Sequence, residues 1–347
     1  MADPPVQPID CDAHCAPASI EALLPYFDDY WHGYVADAGV QLSPNVTGAY
    51  PAGARTSGSP VPTSADELAD QLLDPGGARY AVVNCLSAFD ASRNAYYEAA
   101  LARALNDWLR AEWLDRDDRL RASLVIPTLD VPAAVAEIER LGGDARFVQV
   151  LLPVRSDARY GNTRYHPIYE AAERHGLAVG LHAWGRAGNA PTQTGFTHTY
   201  IEDYLANSQL IVQAQVTSLV AEGVFDRFPA LRVALLECGF AWLPFLLWRL
   251  DKDWKAVWRE VPWLKAKPSE YVYRHFRATT EPAQLPKDAK QVAEAAELIR
   301  PRDFLMFASD HPHDHGDRGA LLLRTLDGDD RDAVLRDNAA RFYSLEV

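Results

Sequence analysis

An eight-stranded (β/α)8 TIM barrel is the fold this sequence predicts, and three observations point to it. Short apolar runs alternate with amphipathic, helix-length stretches along the whole chain, the pattern of a parallel sheet covered by helices. Counting from Ile9 gives eight such runs, the number that closes a sheet into a barrel. The competing open, doubly wound sheet would carry a glycine-rich phosphate loop after its first strand, and Cys11-Asp12-Ala13-His14-Cys15 is nothing like G-x-G-x-x-G.

The elements follow in order. Ile9 to His14 reads as the first strand. Residues 17–62 are irregular in pattern, mixing Tyr26, Phe27, Tyr30, Trp31, Tyr34 and Tyr50 with Gly, Pro and Ser. A plain linker would be more polar, so this stretch is expected to fold as a lid-like loop over one end of the domain. Ser64-x-x-Glu67 reads as a capping box opening a helix to Leu73, which Pro75-Gly76-Gly77 stops. Arg79 to Cys85 is a buried-type strand, followed by a helix from Ser92 to Leu114. The alternation continues with a strand at 120–126, a helix at 131–141, a strand at 146–152, a helix at 167–175 and a strand at 177–182. After a Gly-rich loop come a helix at 200–222, a strand at 231–237, a helix at 241–258 and an expected strand from Tyr271 to Thr279. A helix at 287–298, the last strand at 304–310 and helical segments to Phe342 complete the chain. With no internal repeat and no composition break, residues 1–347 are expected to form one domain, with 259–269 as a loop insertion.

Composition narrows the partners. Hydrophobic residues make up 48% and charged residues 24%, which fits an ordered globular enzyme. The net charge of −14 disfavours nucleic acid and anionic membrane surfaces. No apolar run approaches the ~20 residues that span a bilayer, and the opening MADPPVQP lacks the basic and apolar regions of a signal peptide. The four cysteines, Cys11, Cys15, Cys85 and Cys238, form no C-x-x-C pair. Reduced thiols and a cytoplasmic location are therefore expected.

The chemistry gathers where barrel strands end, because active sites of this fold are built there. Side chains of a strand alternate faces, so Asp10, Asp12 and His14 share one, with Asp12 and His14 near the exit. His182 ends the fifth strand, Glu237 the sixth, Thr279 and Thr280 the seventh, and Asp310 the eighth. Taken singly, each has a plain structural reading: His182 bonded to backbone, Asp310 capping a turn, Glu237 paired with an arginine. Together Asp12, His14, His182 and Asp310 offer two imidazoles and two carboxylates to a single divalent metal. Zinc is the first choice; manganese or magnesium would suit the hard carboxylates.

These residues carry a resemblance. From IDCDAH through FDRFPALRVALLECGFAWLPFLLWRLD to FLMFASDHPH, the chain resembles the amidohydrolase-2 branch of the amidohydrolase superfamily, which includes aminocarboxymuconate-semialdehyde decarboxylase, related aromatic-acid decarboxylases and lactonases. The resemblance implies one metal held by Asp12, His14, His182 and Asp310, with Asp310 also handling protons. It implies a substrate-carboxylate arginine at Arg249, a small-molecule substrate and a homodimer. One departure stands out: the branch's decarboxylases place a histidine where this chain has Glu237, and a carboxylate cannot mimic an imidazolium facing an anion. The leading expectation is accordingly metal-dependent hydrolysis of an amide, lactone or similar carbonyl bond. Asp310 would act as general base on a metal-activated water, with Glu237 or His313 orienting substrate. The alternative is non-oxidative decarboxylation of an aromatic or unsaturated acid, with Asp310 delivering a proton to carbon.

Overall fold

The computed structural model describes residues 6–42, 60–87, 93–185, 195 and 197–347. Eight parallel strands lie in sequence order in one sheet: β1 (Ile9–Cys15), β2 (Tyr80–Cys85), β3 (Leu120–Val125), β4 (Phe147–Arg155), β5 (Ala178–Gly185), β6 (Val233–Leu236), β7 (Phe276–Thr279) and β8 (Leu305–Met306). β8 contributes only two residues to the ladder, yet the backbone beyond it closes the sheet onto β1. Cys11 N donates to Phe307 O (2.9 Å), Asp310 N to Asp12 O (3.0 Å) and His14 N to His311 O (2.8 Å). The predicted (β/α)8 barrel is the observed fold. No helix among the described residues is long and apolar enough to cross a membrane.

Helices start where strand-following loops supply caps. Asn94, Asp130 and Asp288 each accept from backbone N–H groups of the first turns of Ala95–Leu109, Val131–Leu141 and Ala289–Ile299, satisfying donors that a helix start leaves unpaired. Ser64 caps Ala65–Leu68 by accepting from Glu67 N, but the other half of the expected box is displaced by one residue. The Glu67 carboxylate takes the N–H of Thr63 (2.7 Å). At the far end of the barrel the closing helix Asn338–Tyr343 is pinned across the strand starts. Asn338 Nδ2 donates to Leu305 O (2.7 Å), and Arg232, the residue before β6, bonds the carbonyls of Phe342 and Gly176.

Two stretches differ from expectation. Tyr271 to Thr279 is not one strand: Pro268–His275 is helical and only Phe276–Thr279 joins the sheet. Pro268 takes the first helical position and Glu270 accepts from Lys267 N, so a helix start precedes what looks like an aromatic β run. Within the stretch read as irregular, Ile20–Tyr26 forms a 3-10 turn and Asp29–Ala38 an α-helix that ends at Gly39 with φ 60°. Trp31 and Phe27 pack on Tyr97 at the start of the helix after β2, which places these rings at the end of the barrel where the strands terminate. Residues 43–59, with Tyr50, and the Gly-rich segment 186–194 lie outside the described residues.

Candidate active site

β1 is buried along its whole length, and its alternation sorts the side chains. Ile9, Cys11 and Ala13 meet the core, while Asp10, Asp12 and His14 form a polar row. At the strand ends this row meets His182, Glu237 and Asp310, and all six residues are at most 4% exposed. His14 Nε2 lies between two carboxylates, 2.7 Å from Asp310 Oδ1 and 3.0 Å from Glu237 Oε1. His182 Nε2 is 3.3 Å from Glu237 Oε1 and 3.6 Å from Asp12 Oδ1. The His182 Nδ1–H donates to Ala183 O (2.8 Å), an arrangement that turns the lone pair of Nε2 toward the cluster. His313 Nδ1 donates to Asp310 Oδ1 (2.9 Å), and His315 Nε2 donates to Asp310 Oδ2.

The backbone is specialised at both late carboxylates. Glu237 has φ 53° and Asp310 φ 56°, the left-handed region that side chains with a Cβ avoid at a cost of roughly 1–2 kcal/mol. Glu237 follows β6 directly, and Asp310 lies four residues beyond β8. Hydrogen bonds hold the bends: Glu237 N donates to Thr279 Oγ1 (3.1 Å), Asp310 N to Asp12 O (3.0 Å) and His313 N to Asp310 O (2.8 Å).

Electrostatically, the pocket demands positive charge. Burial opposes an imidazolium at His14, but its bonds to Asp310 and Glu237 and the charges of Asp310 and Asp12 outweigh it and raise its pKa well above 6.5. At His182 burial likewise pulls down, and the Asp12 and Glu237 charges raise the pKa on balance. Burial would push the Asp310 carboxyl up, but three histidine contacts hold it well below its usual range. Asp10, one layer deeper, is pushed up to about 7 by burial, against bonds from Ser309 and Asp12 N–H.

A divalent metal fits this donor set. Ligand atoms of Asp12, His14 and His182 lie within 4.8 Å of one another, as do those of His14, Glu237, Asp310 and His313. Asp12 Oδ2 and His14 Nδ1 are buried with no hydrogen-bond partner among the described residues. Three clustered carboxylates call for two or more compensating charges; a metal ion supplies them at one point, where protons on His14 and His182 would otherwise be needed.

The structure thus brings together Asp12, His14, His182, Glu237, Asp310 and His313. It does not bring Arg249 to them. That residue lies on the helix Leu243–Val257, its side chain is 74% exposed, and it pairs with Asp253 one turn away on the same helix. His315 and Asn84 join the site without having been singled out: His315 grips Asp310, and Asn84 Nδ2 donates to Asp12 Oδ1 (2.7 Å). The run His311, His313, His315 was the available signal for the first, because period-two spacing in an extended loop would put all three on one side. His311 instead bonds Gln71 (2.9 Å). Nothing in the sequence marks Asn84 apart from being a polar residue in an apolar strand.

Barrel closure, a buried cluster at the strand ends and a donor set suited to one divalent cation together define an enzyme of the metal-dependent hydrolase and carboxy-lyase class. The chain belongs to the amidohydrolase family Amidohydro_2, whose model matches residues 9–345. It is 26% identical over 265 residues to the gamma-resorcylate decarboxylase of Rhizobium radiobacter, covering 71% of this chain and 76% of that one. Among solved structures, it is similar in fold to 5-carboxyvanillate decarboxylase from Sphingomonas paucimobilis, with TM-score 0.69, 23% identity, and coverage of 99% of this chain and 100% of that one. It is also similar to the dihydroxybenzoic acid decarboxylase from Polaromonas sp. JS666 with bound manganese and 2-nitroresorcinol, with TM-score 0.69, 20% identity and coverage of 98% of each chain.

Proposed function

We propose that this enzyme is a non-oxidative decarboxylase of a hydroxylated aromatic carboxylic acid. The observation that carries the reading is the surroundings of Asp310. Its two carboxylate oxygens together receive three imidazoles, His14 and His313 on Oδ1 and His315 on Oδ2. A hydrolytic base needs an accessible lone pair for the proton of water, whereas a decarboxylase must place a proton on carbon. A carboxylate gripped by imidazoles that hold protons suits the second task. The named relatives support it, since each acts on an aryl acid. They support the hydrolase expectation only at the level of the superfamily.

Asp12, His14, His182 and Asp310 would hold the metal. When bound, such an ion would supply Lewis-acid stabilisation of the anionic substrate. Manganese becomes as reasonable a choice as zinc, because the Polaromonas protein was solved with it. In the reaction, a proton from His313 or His315, which bond the two oxygens of Asp310, is relayed through Asp310 to the ring carbon as the bond from that carbon to the carboxyl group breaks and carbon dioxide leaves. Water then restores the proton to the imidazole. Glu237 contacts His14 and His182 and limits how closely an anionic substrate approaches. That charge would keep a substrate carboxylate away from the end of the sixth strand. A homodimer belongs to the same proposal and is checked by light scattering on the eluting enzyme.

The test is a panel of ortho-hydroxybenzoates incubated with manganese- or zinc-loaded enzyme in water enriched in oxygen-18. Carbon dioxide release with no solvent oxygen in the aromatic product is expected. Turnover of lactones or amides with oxygen-18 in the product, and none of the aryl acids, would reinstate hydrolysis.

A further inference from the structure

A polar chain crosses the barrel interior and ends on a metal-site carboxylate. Asp12 Oδ1 accepts from Asn84 Nδ2 (2.7 Å), and Asn84 Oδ1 accepts from the Ser123 hydroxyl (2.5 Å). Ser123 Oγ accepts from Gln149 Nε2 (2.8 Å), and Gln149 Oε1 accepts from the Tyr343 hydroxyl (2.9 Å). All five residues are buried. They come from β1, β2, β3, β4 and the closing helix, so the chain climbs from the floor of the barrel to its mouth.

The sense of this chain is forced from its upper end. A carboxylate only accepts, so Asn84 must turn its NH2 toward Asp12 and its carbonyl toward Ser123. Ser123 must then donate its proton to Asn84 and accept from the Gln149 amide, which leaves the Gln149 carbonyl for the Tyr343 phenol. Every donor points toward Asp12, and hydrogen bonds in series with one sense polarise one another. Room is made for it as well. A Cβ on Gly180 of β5 would lie 2.9 Å from Gln149 Cδ and 3.0 Å from its Oε1. A bare backbone at that position lets the amide lie where it bridges Ser123 and Tyr343.

We propose that Tyr343, Gln149 and Ser123 are positioning residues that act through Asn84 to fix the rotation of Asp12 as a metal ligand. A carboxylate pinned at one oxygen cannot turn about its last bond, so its remaining lone pairs stay aimed into the cluster. The chemistry explains why a tyrosine of the closing helix at the floor is tied to strands whose other ends face substrate. The inference rests on Asp12 being a metal ligand, not on which reaction follows.

The experiment measures manganese and zinc affinity of chelator-stripped wild type, Ser123→Ala and Tyr343→Phe by competition with a chromophoric chelator, with the melting temperature of each stripped protein taken alongside. Partners that orient metal ligands change affinity by about 10–100-fold. About tenfold weaker binding is expected for Ser123→Ala and roughly threefold for the more remote Tyr343→Phe. Ser123→Thr, which keeps the hydroxyl, is expected to bind metal more tightly than the alanine variant. Wild-type affinity in Tyr343→Phe overturns the inference, whatever happens to its melting temperature. A wild-type protein that binds no metal overturns the metal site itself, and that outcome is distinct.

Discussion

Three carboxylates and four imidazoles share the mouth of the barrel, and their neighbours divide the work among them. Asp10 faces backbone: its Oδ1 accepts from the N–H of Asp12 and of Ser309 (both 3.1 Å), so it ties β1 to the segment after β8. An amide at this position keeps the acceptor, and Asp10→Asn is expected to keep its metal and shift the melting temperature instead. His14→Ala removes an imidazole lodged between Asp310 and Glu237 and is expected to lose stoichiometric metal. Metal analysis of both purified variants decides; equal loss would mean that Asp10 belongs to the ligand set. Glu237 lies 3.0 Å from His14 Nε2 and 3.3 Å from His182 Nε2. Glu237→Gln keeps the shape and the backbone bend but removes the charge. It is expected to retain metal and, by removing the charge that limits approach of an anionic substrate, to change KM for that substrate more than kcat. Loss of metal in this variant would make Glu237 a ligand instead.

At the scale of single elements, the unexpected helix Pro268–His275 brings a titration with it. His275 closes that helix, stacks on Phe225 with ring centroids 4.3 Å apart, and its Nδ1–H donates to Leu231 O (2.9 Å). Burial lowers its pKa from 6.5. A folded state that resists a proton taken up by the unfolded chain binds fewer protons, so this histidine withdraws stability as pH falls below about 6.5. His275→Asn keeps a donor for Leu231 O and cannot titrate. Melting temperatures between pH 5 and 8 should fall less steeply on the acid side for this variant than for wild type; parallel curves would remove His275 as the cause. The same element shows why strand seven was misplaced. Tyr271, Val272 and Tyr273 are β-favouring residues, and the burial of Tyr271, Val272 and His275 on one helical face is a tertiary outcome that local propensity does not contain. Proline followed by glutamate was a helix start legible in the sequence, and it outweighed three β-formers.

For the whole molecule, what was legible followed from periodicity and from the rule that barrel chemistry sits at strand ends. Asp12, His14, His182, Glu237 and Asp310 could be placed by counting, because each interrupts or ends an apolar run. His315, Asn84 and the path down to Tyr343 could not, since they depend on how the loop after β8 folds back and on which interior side chains meet across four strands. Those meetings make the site a clamp between the first, fifth, sixth and eighth strands, so its charge state should register in global stability. The folded-state pKa values of His14 and His182 are raised; below the unfolded value of 6.5 their stabilising protons are fully in place, and the contribution is lost as pH climbs through the folded values. Asp310 works oppositely, its contribution being present above the usual carboxylate range and lost only in strong acid. The stripped protein should therefore lose melting temperature progressively as pH rises above about 6.5, while its carboxylates repel without compensation. A bound divalent ion replaces the protons, binds only the folded chain and adds stability that grows with its free concentration over Kd. The metal-loaded protein should accordingly melt higher than the stripped one, by a margin that widens toward alkaline pH. Thermal scans of both forms across that range test it, and a margin that stays constant with pH would show that the two histidines do not hand their protons over to the metal.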